Sequence, residues 1–198
     1  FSANKFFSAD GNLYSAAGNN LYQVKNGKAK KIAEFDSPVI DISVALDKSL
    51  WLITEEALFL SENGEFKQIV ELPSETVCLA ALDNKAKYAE TVYVGSTVEG
   101  LLSMKGKRRH WAELLPDNTG VMSKKINCIE IDALGHLWVG SDEGLNIYDG
   151  KHYWFNGNDF YSVPDGSFND MFFAADGKKY FATNTGLITL VEGKISYF

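Results

Sequence analysis

Several of the residue types that make chemistry easy to recognise are scarce in this sequence. Two cysteines and three histidines occur among 198 residues. Cys78 and Cys128 are too far apart for a CxxC metal or redox motif, and two cysteines make no disulfide framework. His110, His136 and His152 fall at strand or turn positions and lack the spacing of a zinc site. There is no HExxH, no G-x-S-x-G, no phosphate-cradling glycine loop and no EF-hand, so no cofactor or metal is expected. No apolar run approaches the ~20 residues of a membrane helix, so membrane insertion is not expected. No stretch of these residues is expected to act as a leader peptide. The sequence opens on Phe1 rather than Met, as a processed or trimmed N-terminus would. Basic charge is in deficit, 19 Lys and Arg against 26 Asp and Glu, which argues against nucleic acid or an anionic membrane as the main partner. The basic runs KAKK (28–31) and KGKRR (105–109) are short and read as solvated turn residues.

What the sequence does have is repetition. An aromatic recurs at Tyr14, Trp51, Tyr93, Trp138 and Tyr180. A leucine follows at Leu21, Leu58, Leu145 and Leu187, with Leu101 in line after one inserted residue. A second register runs through the X-Gly dipeptides Asn26-Gly27, Asn63-Gly64, Lys105-Gly106, Asp149-Gly150 and Glu192-Gly193, spaced by 37, 42, 44 and 43 residues. Such dipeptides between apolar runs predict tight hairpin turns, because glycine takes positive φ without steric cost. Five residues after each glycine stands an apolar side chain: Ile32, Ile69, Trp111, Phe155 and Phe198. Pro38, Pro73, Pro116 and Pro164 fall one in each gap between copies, where the missing amide proton does no harm to a strand ladder.

Each copy carries four short strand signals. In the fourth they are Ile126–Asp132, His136–Ser141, Leu145–Tyr148 and His152–Phe155, and no stretch has a helical period. A unit of about 40 residues with four antiparallel strands predicts a β-propeller blade. The fold class is therefore all-β, with five four-stranded blades or five blades of a larger propeller. Expected blade bounds are 1–36, 37–72, 73–115, 116–163 and 164–198. The repeated aromatics and leucines are read as packing between blades. The ends fall on blade boundaries, which predicts a self-contained unit closed by packing of blade one on blade five.

The stretch IDALGHLWVGSDEGLNIYDG resembles the two-component regulator propeller repeat, roughly D-x-x-G-x-L-W-[IV]-G-[ST]-x-x-G-L-x-x-[YF]-[DN]. The fifth copy (ADGKKYFATNTGLITLVEG) and the first (ADGNLYSAAGNNLYQVKNG) match in part, and the second and third are degenerate. The resemblance implies a propeller of a sensor region outside the cytoplasmic membrane, periplasmic or at the cell surface, often linked to glycan sensing. Such regions usually carry many more repeats. No kinase or DNA-binding segment accompanies the repeats here.

Propellers bind at one end of the axis, through the joints between blades and the loops between second and third strands. The axial position near each blade's start is aligned as Asn4, Asp41, Cys78, Cys128 and Asp170, a polar ring at the channel mouth. Acidic loop residues gather at the same end: Glu55, Glu56, Glu99, Asp142 and Glu143. The stretch KHYWFNGNDFYSVP (151–164) adds aromatics that the repeat does not require, Tyr153 near the end of the fourth blade and Phe160 and Tyr161 in the joint after it, suited to stacking on a sugar face or a partner side chain. The candidate ligand-binding set is Asp41, Asp170, Asp142, Glu143, Tyr153, Phe160 and Tyr161, with no catalytic residue assigned. The expected function is a non-catalytic exported propeller binding a ligand, a glycan among the candidates, or a protein partner. One alternative is a glycan-active hydrolase pairing Asp41 or Asp170 with Glu143. The other is a protein-interaction scaffold.

Overall fold

The computed structural model describes residues 5–9, 11–45, 49–84, 88–105, 110–114, 121, 123–148, 154–156 and 165–198. Among them twenty strands form five four-stranded antiparallel sheets, and no helix occurs. Blade one holds β1 (Lys5–Ala9), β2 (Asn12–Ala17), β3 (Asn20–Lys25) and β4 (Lys28–Glu34). Blade two holds β5 (Val39–Val44), β6 (Leu50–Thr54), β7 (Ala57–Glu62) and β8 (Glu65–Glu71). Blade three holds β9 (Thr76–Asn84), β10 (Tyr88–Ser96), β11 (Gly100–Lys105) and β12 (Ala112–Leu114). Blade four holds β13 (Ile126–Ile131), β14 (Leu137–Ser141), β15 (Leu145–Tyr148) and β16 (Trp154–Asn156). Blade five holds β17 (Phe168–Phe173), β18 (Lys179–Thr183), β19 (Gly186–Val191) and β20 (Lys194–Tyr197). Strand order within every sheet follows the chain, as hairpin connections require. The sheets stand around one axis as a five-bladed β-propeller, with the first strand of each blade innermost.

The hairpins form for the reason the dipeptides gave. At Asn26-Gly27, Asn63-Gly64 and Glu192-Gly193 both residues have positive φ, the backbone of a two-residue hairpin turn. Gly106 and the Asp149-Gly150 turn lie outside the described residues.

Strand register sorts each sheet into two faces. Across the sheets run the rows Lys5–Ala16–Leu21, Asp41–Ile53–Leu58, Cys78–Gly95–Leu101, Cys128–Gly140–Leu145 and Asp170–Ala182–Leu187. Because side chains alternate along a strand, the repeated aromatics share this face, which meets the following blade. Trp51 and Trp138 are buried there, with Lys179 of blade five lying over the Trp138 ring. The opposite face of the next blade supplies Ile42, Leu79, Ile129 or Met171. Four hydrophobic cores result, one in each of the four successive interfaces.

The seam between blade five and blade one is different. No core cluster joins them among the described residues. Leu187 is 42% exposed, whereas Leu21, Leu58, Leu101 and Leu145 are at most 1% exposed. Phe6 is 62% exposed, whereas its counterparts Ile42, Leu79, Ile129 and Met171 are at most 9%. Closure by packing of blade one on blade five therefore has no apolar core behind it in this structure.

Candidate functional site

The axial strands share one irregularity. In β5, β9, β13 and β17 the register slips just before the ring position, leaving Ile40, Val77, Asn127 and Asn169 as extra residues. A bulge of this kind bends the strand and re-aims the side chain that follows it. Those following side chains are Asp41, Cys78, Cys128 and Asp170.

The fifth member of the row is Lys5, not Asn4, which lies outside the described residues. Lys5 pairs with Ala16 as Asp41 pairs with Ile53. Ser8 to Leu13 encloses four residues, where the matching pair Ile131 to Leu137 encloses five. The turn of blade one is one residue shorter, which moves the alignment by one and puts a cation in the ring.

The electrostatics follow from that placement. Lys5 Nζ lies 3.8 Å from Asp41 Oδ1 and donates to the Ile40 carbonyl at 3.0 Å. The Leu79 amide of the next blade donates to Asp41 Oδ2, and the Ala81 amide to Ser43 Oγ. Burial pushes the Asp41 carboxyl up to about 6, against the pull of Lys5 and of the Leu79 and Ile42 amides, with Asp170 adding repulsion. Glu130, one rung below Cys128 on the same face, is pushed up to about 8 by burial, helped by the charges of Asp41 and Asp170. The Cys78 and Cys128 thiols are free, buried, and raised chiefly by burial, so neither is a ready thiolate. The axis thus gathers Lys5, Asp41, Glu130 and Asp170 around two neutral thiols. Among the described residues no cluster has the makings of a metal site.

At the same end lie the loops between second and third strands. A hydroxyl shapes each of four: Thr54, Ser96, Ser141 and Thr183 accept loop amides, and three of them donate to the carbonyl that closes the turn. That is the physical content of the Ser/Thr position in the repeat. Asp142 Oδ1 accepts the Ser123 hydroxyl at 2.6 Å, and Glu99 accepts the amide and hydroxyl of Ser74. Both carboxylates therefore tie a loop to the preceding joint. Glu143 is exposed in its loop, and no described hydrogen bond or ion pair links it to Asp41 or Asp170. An open cleft of about 420 Å³ lies between Asp36, Glu55, Glu56 and Glu71, and none of the axial row lines it.

Tyr153, Phe160 and Tyr161 lie outside the described residues. Of the other candidates, Asp41 and Asp170 share the axis, while Asp142 and Glu143 belong to the loop rim. Sequence reasoning passed over Lys5 and Glu130. Glu130 alternates in step with Cys128, which was the available signal.

Asp132 turned out to be structural. It is buried and accepts the Leu134 and His136 amides and the Trp138 indole N–H, all at 3.0 Å, with His136 Nδ1 at 3.2 Å. The Asp and Trp of the repeat motif are one knot.

No protein-family model matches the sequence, and no curated protein matches it. Solved structures do resemble the fold. The extracellular domain of a hybrid two-component system, BT3049 of B. thetaiotaomicron, so assigned provisionally, aligns over 99% of this chain and 28% of its own, with TM-score 0.71 and 18% identity. The corresponding domain of BT4673 aligns over 98% and 27%, with TM-score 0.71 and 14% identity. A gluconolactonase from Xanthomonas campestris aligns over 91% and 69%, with TM-score 0.65 and 14% identity. The chain thus spans just over a quarter of the length of the two sensor-domain chains. At these identities the likeness is one of fold.

Proposed function

We propose that this chain is a non-catalytic propeller, exported to the periplasm or cell surface, that binds a polar ligand or a protein partner over the axial mouth. The observation that carries the reading is the axial row: four bulges aim Asp41, Cys78, Cys128 and Asp170 at one place, where Lys5 and Glu130 stand beside them. Opposite charges gathered at the axis suit a ligand with both hydrogen-bond donors and acceptors, a glycan among them. The likeness to extracellular domains of two-component systems supports export and a sensing role. The test is a glycan array and a thermal-shift screen run on wild type, Asp41→Asn, Asp170→Asn and Tyr161→Ala. A ligand whose midpoint shift disappears in the axial variants supports the assignment. A specific ligand indifferent to all three would defeat it.

A second reading has an observation of its own. Glu130, raised to about 8, stays protonated at neutral pH while Asp41, raised to about 6, has largely ionised, the division of labour of a general acid and a base. The gluconolactonase likeness supports this reading. Turnover of lactones or glycosides, lost in Glu130→Gln, would establish it, and inert wild type across a broad substrate panel would remove it.

A further inference from the structure

Among the described residues, the blade-five face built on Phe172, Tyr180 and Leu187 and the blade-one face built on Phe6 and Leu13 belong to no core cluster shared with another blade. Phe172 is 58% exposed and Leu13 41%. Scattered exposed apolar residues are ordinary, but Phe6, Leu13, Phe172 and Leu187, with half-buried Tyr180 beside Phe172, fall on two faces that are packed into a core at each of the four internal interfaces.

The four internal interfaces show what such faces take. Each joins a forward face, bearing an aromatic and a leucine, to a rear face bearing an aliphatic residue on the axial strand. Polar ties accompany the apolar contact: Asp41 accepts the Leu79 amide, Asn127 donates to the Ser167 hydroxyl and the Phe168 carbonyl. Blade five ends in a forward face of that composition. Asp170 receives the amide of its own neighbour Met171, as Asp41 receives that of Ile42, but among the described residues no amide of a following blade reaches it. Blade one begins with a rear face. A further blade carries both complementary faces at once.

We infer that a further blade of the same polypeptide, outside residues 1–198, packs between blade five and blade one and completes the axial site. Its rear face meets Phe172, Tyr180 and Leu187 and lends an axial-strand amide to Asp170. Its forward face meets Phe6 and Leu13. A second copy of the five-blade chain is a poorer fit, since docking one of its faces carries four more blades into the space around the axis. The alignment with the X. campestris protein is in keeping, because 91% of this chain accounts for only 69% of that one.

The experiment compares the full-length gene product with the isolated 198-residue chain, each as wild type and as Leu187→Ser and Phe172→Ser. In the full-length protein either substitution empties a core position, and the melting temperature should drop by about 5 °C or more. In the isolated chain the same substitutions remove exposed side chains and should leave it within about 1 °C. Leu187→Cys gives a second readout that does not depend on melting: a maleimide should label it quickly in the isolated chain and slowly in the full-length protein, against the buried native cysteines. Equal losses in both lengths would mean that the seam closes on itself. Dilution-dependent protection in the isolated chain would mean that a second copy covers it. Free labelling of the full-length protein, or a gene encoding no further blade, would likewise overturn the inference.

Discussion

Blades four and five carry the same repeat and use it differently. Leu145 and Leu187 hold one position, as do Glu130 and Phe172, Trp138 and Tyr180, and Gly140 and Ala182. In blade four every member of the set faces a neighbouring sheet. In blade five the set faces no core. The repeat therefore specifies a face, and the neighbour decides whether that face becomes a core. Substituting matched positions in the two blades separates what the local sequence does from what packing does.

The largest contrast is expected at the leucines. Leu145→Ala should cost about 4 kcal/mol, the lost burial plus a cavity between tightly packed sheets. Leu187→Ala in the same 198-residue chain should cost less than about 0.5 kcal/mol, as surface changes do. Urea unfolding midpoints at constant slope would show it. Equal losses would erase the distinction between the blades.

Next comes the turn between the first two strands. Asp132→Ala leaves two backbone amides and the Trp138 indole N–H without their acceptor and should cost about 3 kcal/mol. The corresponding turn of blade five has Ala174 in that place, so no buried carboxylate ties it; backbone bonds run from Ala174 N to Lys178 O and from Gly177 N to Ala174 O. Asp176 there is exposed, bonded to Lys178, and Asp176→Ala should leave the unfolding midpoint unchanged.

This turn also shows how far the sequence could be read. The Asp and Trp six residues apart marked a repeat, and the strands fell where alternation and X-Gly turns put them. Trp51 and Trp138 lie between sheets, as their recurrence predicted. Three things were not legible. The shortened turn of blade one hid Lys5 behind Asn4, since a one-residue gap near a terminus has nothing upstream to anchor it. The bulges at Ile40, Val77, Asn127 and Asn169 leave no compositional mark, because any residue can be the extra one. The open seam was invisible because its residues match the repeat, and a pattern reports what a face is made of, not what stands in front of it.

Gly140 tests how close blades four and five come. A methyl group added there would lie 2.6 Å from Cys128 Sγ and 2.9 Å from Phe168 Cβ. Phe168 belongs to the facing blade and cannot move without its strand, so Gly140→Ala should cost about 2 to 3 kcal/mol through overpacking. Blade five already carries Ala182 at that position, and there it is exposed. Ala182→Gly should therefore have little effect. A tolerated Gly140→Ala would mean that blades four and five stand further apart than described.

The smallest effect is in pH. An unfolded glutamate loses its proton near 4.5, whereas folded Glu130 keeps it to about 8. Between those values the folded chain binds the additional proton, so stability is highest at the acid end and falls as pH rises toward 8. Asp41, raised from 3.8 to about 6, adds a slope of the same sign over the lower part of that range. Glu130→Gln removes the larger slope. It should stabilise the chain at pH 8 by on the order of 1 to 2 kcal/mol, since relaxation of the unfolded and folded charge offsets part of the full effect, and change nothing at pH 4. Phe172→Gln puts the same amide at the matched position of blade five and should leave the profile as in wild type. Unfolding midpoints at pH 5 and 8 that move in parallel for wild type and Glu130→Gln would show Glu130 ionising freely, and the axis would then be wetter than its packing implies.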